Sequence, residues 1–418
     1  MDDLYIIGTA CTPFGKFPDK SFKALTREAY MAALADAGLD DGGAIESCWF
    51  GNCGMGAFGQ AGIRGQVCMT PLVQDGSFPE RVPTINVEGG CATATLALNG
   101  ALKDVATGDA EIALAMGVEK LVDLDAPERT ARIFSDGGID QFDPDEWRSY
   151  YTRIADDIGA TFGGDGTVFM STYALQASWH MKRWGTTQQQ IAAGASKNHH
   201  HGSLNDLAQY RFEIGVDEVL ADRPISGPLT RSMCAPIGDG AAAALVCNRK
   251  TLATLAPETR ARALPVLALQ LSGGKYREPS EPSLSRVAAQ KAYRQAGIGP
   301  DDVDIAEVHD ATSFCEIYQC EMLGFAADGE GGAYVASGAA ALGGERPINL
   351  SGGLVSKGHP VGATGLSMIH ELGLQLRGEA GLRQAERATI GLTENGGGVI
   401  GFDEAACAVT ILGAPRHD

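Results

Sequence analysis

Positive charge is scarce in this chain: 33 Lys and Arg stand against 52 Asp and Glu in 418 residues, a net charge of −19. Nucleic-acid binding depends on clustered cations that neutralise phosphates, so this balance argues against it. No run of about 18 or more uninterrupted apolar residues occurs, and no membrane span is expected. The start Met1-Asp2-Asp3-Leu4-Tyr5 lacks the basic region and apolar run of a secretory signal. Nor is Pro415-Arg416-His417-Asp418 a peroxisomal address. The expectation is a cytoplasmic protein. Ten cysteines show neither CxxC pairs nor metal-ligand spacing, so free thiols are expected, with no disulfide frame and no metal. Phosphate loops are missing as well. Neither Gly51-Asn52-Cys53-Gly54-Met55-Gly56 nor Gly163-Gly164-Asp165-Gly166 ends in Gly-Lys-Ser/Thr, and both read as turns.

What is present is enough apolar material, 44% of the chain, for a large core and two or three structural units. Residues 4–9 and 46–51 read as strands, with an amphipathic helix over 21–38 between them. A strand at 84–88 leads into a helix ending near Gly108, and a buried strand starts at Ile112. The second half repeats this order: a strand from Leu264, a helix over 283–297, a strand over 304–309, then a helix running to about Arg377 and a strand from Ala388. Two matching halves of alternating strands and helices imply layered α/β packing. Between about 122 and 231 the pattern is irregular, with Gly/Asp-rich stretches at 135–145 and 163–166; so long an excursion is more often functional or separately folded than idle.

Cys91 stands where the strand of Ile85-Asn86-Val87-Glu88-Gly89-Gly90-Cys91-Ala92-Thr93 gives way to a helix. Unpaired N–H groups and the positive end of the helix dipole favour a thiolate there, which suits a nucleophile. A small apolar residue filling the junction is the alternative. His359 lies in Ser351-Gly352-Gly353-Leu354-Val355-Ser356-Lys357-Gly358-His359-Pro360, at the mouth of the later helix. His309 follows a short strand in Glu307-Val308-His309-Asp310-Ala311, and Thr393-Glu394-Asn395-Gly396-Gly397-Gly398 is a glycine cluster whose backbone can approach a ligand.

In this order and spacing the four motifs resemble the thiolase superfamily, over nearly the whole chain. More narrowly the chain looks like the sterol-carrier-protein-x or lipid-transfer type, in which His-Asp stands where other thiolases have Asn-Glu; Lys197-Asn198-His199-His200-His201-Gly202 and Cys234-Ala235-Pro236-Ile237-Gly238-Asp239-Gly240 are similar to further stretches of that type. The resemblance implies a thiolase fold, two similar βαβαβ-type halves forming a layered α-β-α-β-α sandwich. Residues 1–121, completed by 232–255, would form the N-terminal half, 256–418 the C-terminal half, and 122–231 an inserted loop domain over the acyl-CoA. It also implies a coenzyme A-dependent acyltransferase cleaving or forming a 3-oxoacyl-CoA, with coenzyme A as co-substrate and no tightly bound cofactor.

In that chemistry Cys91 is the nucleophile and His359 its base. His359 and His309 face the thioester oxygen, and the backbone N–H groups of Cys91 and Gly396 face the alkoxide. His309 tying a strand end is the alternative. One departure concerns the second acid/base: Glu394 stands at the place of the usual cysteine, and Ala311 where some relatives of this type carry another. Glu394 with its pKa raised by burial, Cys315, or His309 itself are the candidates, and Cys320 lies further along the same helix. The missing cysteine points to a bulky or branched acyl group. Arg223, Arg231 and Lys357 are candidates for a basic lip toward coenzyme A, and Met55 and Phe58 for an acyl tunnel, with core packing as the other reading. Cys11, Cys48, Cys53, Cys68, Cys247 and Cys407 are assigned no chemistry. The tract His199-His200-His201 reads as a solvated loop or lid contact, not a metal site. Two other functions stay open, a retro-aldol lyase acting on a 3-hydroxyacyl-CoA and a non-catalytic acyl-CoA-binding subunit. A homodimer or tetramer is expected, with a separate small OB-fold zinc protein as a further partner.

Overall fold

A computed structural model describes residues 4–135, 137–163 and 167–416. The glycine stretch at 163–166 falls, beyond Gly163, outside them. Eleven strands occur among the described residues: β1 (Leu4–Cys11), β2 (Ser47–Gly51), β3 (Thr84–Val87), β4 (Ile112–Glu119), β5 (Pro224–Ser226), β6 (Leu229–Thr230), β7 (Gly240–Asn248), β8 (Leu264–Gly273), β9 (Ile305–Val308), β10 (Ile390–Gly397) and β11 (Ala406–Gly413). β5 and β6 form a small ribbon, and the other nine lie in the order β3-β2-β4-β7-β1-β8-β11-β10-β9. The two halves join at β1 and β8, whose antiparallel pairing is confined to Tyr5 with Pro265 and Ile6 with Leu264. Each half is therefore nearly a sheet of its own, five strands and four.

The strands are apolar on both faces, and strand alternation divides them between two cores. Ile112, Leu114 and Met116 of β4 pack outward with Leu25, Ala29 and Tyr30 of the helix Phe22–Asp36. Ala113 and Ala115 of β4, with Ala242 and Ala244 of β7, face inward onto the helices Thr93–Thr107 and Thr364–Leu376. Alanines on the inner face let two helices lie side by side between the half-sheets, giving the α-β-α-β-α layering. These central helices meet at Gly365, where a Cβ would lie 2.1 Å from Thr95 Oγ1 and 2.3 Å from Asn395 Oδ1.

The stretch between β4 and β7, expected to be irregular, is largely helical, including Pro144–Ile158, Val168–Trp184 and Gln188–Ser203. Gly159 and the stretch around 163–167 break the periodicity, which hid the helices from a window-based reading. Trp147, Tyr151 and Leu175 from this region pack on Val399 and Phe402 and so cover the turn between β10 and β11. The His199 tract is part of the helix Gln188–Ser203, a correction to the loop reading. His199 is buried and stacked on Phe212 at 4.9 Å between ring centroids, His201 is buried with Nδ1 3.0 Å from the carbonyl of Asn349, and only His200 is exposed. Among the described residues no helix is long and apolar enough to cross a membrane. Because the Gly365 contact leaves no room for a methyl group, Gly365→Ala is expected to destabilise by about 1–3 kcal/mol through overpacking; an unchanged melting temperature would contradict this packing.

Candidate active site

Cys91 lies in a short 3-10 turn, Gly90–Ala92, between β3 and the helix Thr93–Thr107. Gly90 takes φ +57°, and a Cβ on it would meet the backbone N of Gly398 at 2.4 Å, so the turn presses directly on the glycines that end β10. Asn395 fixes it from below: its Nδ2 donates to the carbonyl of Cys91 at 3.0 Å and its Oδ1 accepts from Thr95 Oγ1 at 2.8 Å. Asn395 was visible in the quoted glycine motif, but nothing in one sequence gave it a task.

From the other half, His359 reaches the same point. It sits in the loop between the helices Gly353–Lys357 and Thr364–Leu376, ahead of the helix mouth where the sequence put it. Its Nε2 lies 3.0 Å from the sulfur of Cys91, a contact across 268 positions of chain. Its Nδ1 lies 2.7 Å from Thr364 Oγ1, whose hydroxyl donates to the carbonyl of Pro360 at 3.1 Å. With that hydroxyl proton committed, Thr364 accepts from Nδ1–H, which leaves Nε2 as the acceptor facing the thiol. Thr364 went unnoticed in the sequence because a Thr at a helix start is commonplace.

His309 completes the group. Its ring stands edge-on to His359 at 5.3 Å between centroids, and neither ring nitrogen has a hydrogen-bond partner among the described residues although the side chain is buried. The sulfur of Cys91 and one nitrogen from each imidazole all lie within 4.8 Å of one another. Such donors would also suit zinc, but the acyl chemistry below uses none. A buried polar group without a partner is costly, and one of the two nitrogens stands close to Cys91 and His359, where a ligand oxygen would satisfy it.

The cleft beside these residues is a cavity of about 200 Å³ lined by Cys53, Glu88, Ile133, Phe134, Phe169, Met170, Tyr173, Ala311 and Val361, together with Cys91 and His359. Cys53, assigned no chemistry from sequence, is thus on the wall, held by Gly90 O at 3.2 Å and Thr93 Oγ1 at 3.1 Å. Met55 and Phe58 are not on it: Met55 packs in the outer core and Phe58 sits edge-on to Phe22 at 5.4 Å. Lys357 is corrected too. It is buried, with Nζ 3.8 Å from Glu307, because the helix Gly353–Lys357 is wholly internal, so it cannot form a basic lip. Arg223 and Arg231 are exposed and outside the cavity wall, Arg231 paired with Asp222 at 3.1 Å.

Glu394 is fully buried, its Oε1 accepting from Ser285 Oγ at 2.9 Å and Cys407 Sγ at 3.3 Å, and its Oε2 from the backbone N–H of His309 at 3.2 Å. Cys315 is buried against Thr312 Oγ1 at 3.3 Å, and Cys320 lies in the core. Gly396 faces the side chain of Glu404, a residue the sequence did not bring forward, while Gly397 backs onto the N atoms of Cys91 and Ala92.

Two family models match this chain, thiolase N-terminal domain over residues 4–223 and thiolase C-terminal domain-like over 276–413. The chain belongs to the thiolase family. An acetyl-CoA acetyltransferase of Methanothermobacter thermautotrophicus is 35% identical over 406 residues, covering 96% of this chain and 98% of the relative. Sterol carrier protein 2 of Bos taurus is 32% identical, covering 99% of this chain and 75% of that protein, as the resemblance to the sterol-carrier type led one to expect. Among solved structures, an Ltp2-ChsH2(DUF35) aldolase superposes with a TM-score of 0.77 at 24% identity, covering 100% and 99% of the two chains, a likeness of fold. This member of the thiolase family is an acyltransferase.

The electrostatics of the thiolase site depart from what the helix dipole alone suggested. Burial pushes the Cys91 thiol up to about 12, and the carboxylates of Glu404 and Glu88 add to it. Burial likewise holds His359 well below its ordinary range, with His309 contributing, and takes His309 down to about 4. Desolvation and two acids outweigh the helix end, so the resting pair is neutral thiol and neutral imidazole, ready for proton transfer once an electrophile arrives. Alkylation of Cys91 by iodoacetamide should then rise about tenfold per pH unit between roughly pH 7 and 9 as the thiolate fraction grows. A rate already level at neutral pH, read by mass spectrometry of the Cys91 peptide, would show a preformed thiolate instead.

Proposed function

We propose that this protein is a coenzyme A-dependent thiolase that cleaves or forms a 3-oxoacyl-CoA through an acyl-enzyme on Cys91. The observation that carries the reading is the 3.0 Å contact of Cys91 Sγ with His359 Nε2, backed by Thr364. In cleavage, Nε2 takes the thiol proton while the sulfur attacks the 3-keto carbon. The tetrahedral alkoxide collapses, the bond between C2 and C3 breaks with its electrons passing to an enolate, and the acyl group stays on sulfur. His309, whose nitrogens lack partners, and His359 hold the thioester oxygen on which enolate charge grows, and backbone N–H groups of Cys91 and Gly396 serve the alkoxide. Free coenzyme A then takes the acyl group.

The acyl group is proposed to be bulky or branched. Ile133, Phe134, Phe169, Met170 and Tyr173 on the cavity wall support an apolar occupant. Arg223 and Arg231 remain the proposed contacts for the nucleotide phosphates, and 122–231 the cover over the acyl chain. β3 is an edge strand and half-exposed, which supports assembly into a homodimer or tetramer. The DUF35 component named for the aldolase neighbour supports a small partner, for which an OB-fold zinc protein is proposed. That neighbour also gives the lyase reading its one support, against which stands the Cys91–His359 pair, a nucleophile and base that retro-aldol cleavage does not require.

A panel of acyl-CoAs mixed briefly with the protein should leave a mass gain on one sulfur, Cys91, largest for a bulky acyl group. Ketone release without free coenzyme A, and no gain on Cys91, would favour the lyase. Replacing His309 with Ala should lower kcat by about 10²–10³-fold, the cost of one oxyanion donor. A loss below about threefold in kcat would assign His309 a structural task only.

A further inference from the structure

Thiolase chemistry needs a second group to give a proton to C2 of the enolate, or to remove it in the reverse direction, and the structure places two carboxyls, not one, where that group would be expected. Strand alternation puts Glu394 and Gly396 on the same face of β10. Over Gly396 the space for a side chain is already filled: a Cβ there would lie 2.9 Å from Cδ and Cγ of Glu404 and 3.0 Å from its Oε1. The carboxyl of Glu404 therefore lies over Gly396, two positions along the same face of β10 from Glu394. Gly396 is small because an acid occupies its side-chain position.

We propose that Glu394 and Glu404 share one proton and together act as the second acid/base of the carbon–carbon bond step. This rests on the thiolase reading given above. The two members are held differently. Glu394 is fully buried, and Ser285, Cys407 and the N–H of His309 fix its oxygens. Glu404 is part exposed and receives no side-chain hydrogen bond from the described residues, and in this proposal it is the member that meets the substrate. Its position is set by the preceding residues. Arg277, fully buried, pairs with Asp403 at 2.7 Å and donates to the carbonyl of Phe402 at 3.0 Å and to Tyr318 Oη at 2.8 Å. The titratable groups around the pair are Tyr151 from the helix Pro144–Ile158, Tyr173 from the helix Val168–Trp184, Cys315 and Tyr318 from Ser313–Met322, Cys407 from β11, Cys91 and the Asp403–Arg277 pair.

Two carboxyls this close in a buried place cannot both ionise easily. Burial raises Glu394 to about 7, while burial and then Glu394 raise Glu404 to about 8. Both shifts are upward, so the doubly charged pair is disfavoured and at least one carboxyl keeps a proton near neutral pH. The proton balance closes without any further reactant. Cys91 gives its proton to His359 Nε2 on attack. The enolate formed when the C2–C3 bond breaks takes the shared proton onto C2, leaving the pair doubly ionised. Incoming coenzyme A returns a proton to the pair as its thiol attacks the acyl-enzyme. The departing Cys91 sulfur recovers its own from His359. Burial first, and Glu404 when it is ionised, raise the Cys91 thiol.

The test separates this step from nucleophile chemistry. Exchange of the C2 hydrogens of acetyl-CoA in D2O, followed by mass spectrometry, should fall by about 10²-fold or more in Glu404→Gln and in Glu394→Gln, the scale of one acid–base catalyst. Glu404→Asp, which keeps a carboxyl, should recover part of the exchange. Iodoacetamide should alkylate Cys91 in Glu404→Gln at least as fast as in the unaltered protein, showing an intact site. Exchange within about threefold of the unaltered protein in both Gln variants, with Cys91 still reactive, would overturn the pair's role. An unaltered protein that acquires no acyl group on Cys91 would instead overturn the thiolase reading itself.

Discussion

One hydrogen bond, Cys91 Sγ to His359 Nε2 at 3.0 Å, carries the chemistry of this molecule. It is made between neutral partners in a poorly solvated cleft, where a charged pair would be disfavoured by desolvation and by the acids Glu88 and Glu404. The arrangement exchanges a standing thiolate for a thiol whose proton has only one place to go. Thr364 sets that direction by taking Nδ1–H, and Pro360 sets Thr364.

The bond depends on packing far from the sulfur. Its two ends come from different halves of the chain, so the central helices must lie close enough for the loops at their starts to touch. Alanines on the inner faces of β4 and β7, and Gly365 against Thr95 and Asn395, provide that closeness. Asn395 then links packing to chemistry, with one end of its amide on Thr95 and the other on the carbonyl of Cys91. A methyl group at the helix crossing would act on stability and on the position of the nucleophile together.

The fold was legible in the sequence because both halves repeat the same order of elements, and because Cys91, His309 and His359 lie in glycine-flanked motifs whose spacing is distinctive. Legibility failed wherever a residue's place depends on a contact distant in sequence. Lys357 is basic and follows a glycine-rich turn, yet its short helix is internal and the ammonium sits beside Glu307. The His199 tract looks polar, but stacking on Phe212 and capping of Asn349 absorb it into a helix. Glu404 appears as an ordinary acid in a turn until the chain returns under Gly396. The thiolate expected at Cys91 was a local inference, and burial, which no local window reports, reversed it.

The central claim is that His359 rests as a neutral ring with its proton on Nδ1. ¹⁵N chemical shifts of the His359 imidazole, assigned by comparison with a His359→Asn variant, test this directly. The account predicts a protonated Nδ1 and a bare Nε2, unchanged across about pH 6 to 8. Two protonated nitrogens near neutrality, the mark of an imidazolium paired with a thiolate, would contradict it.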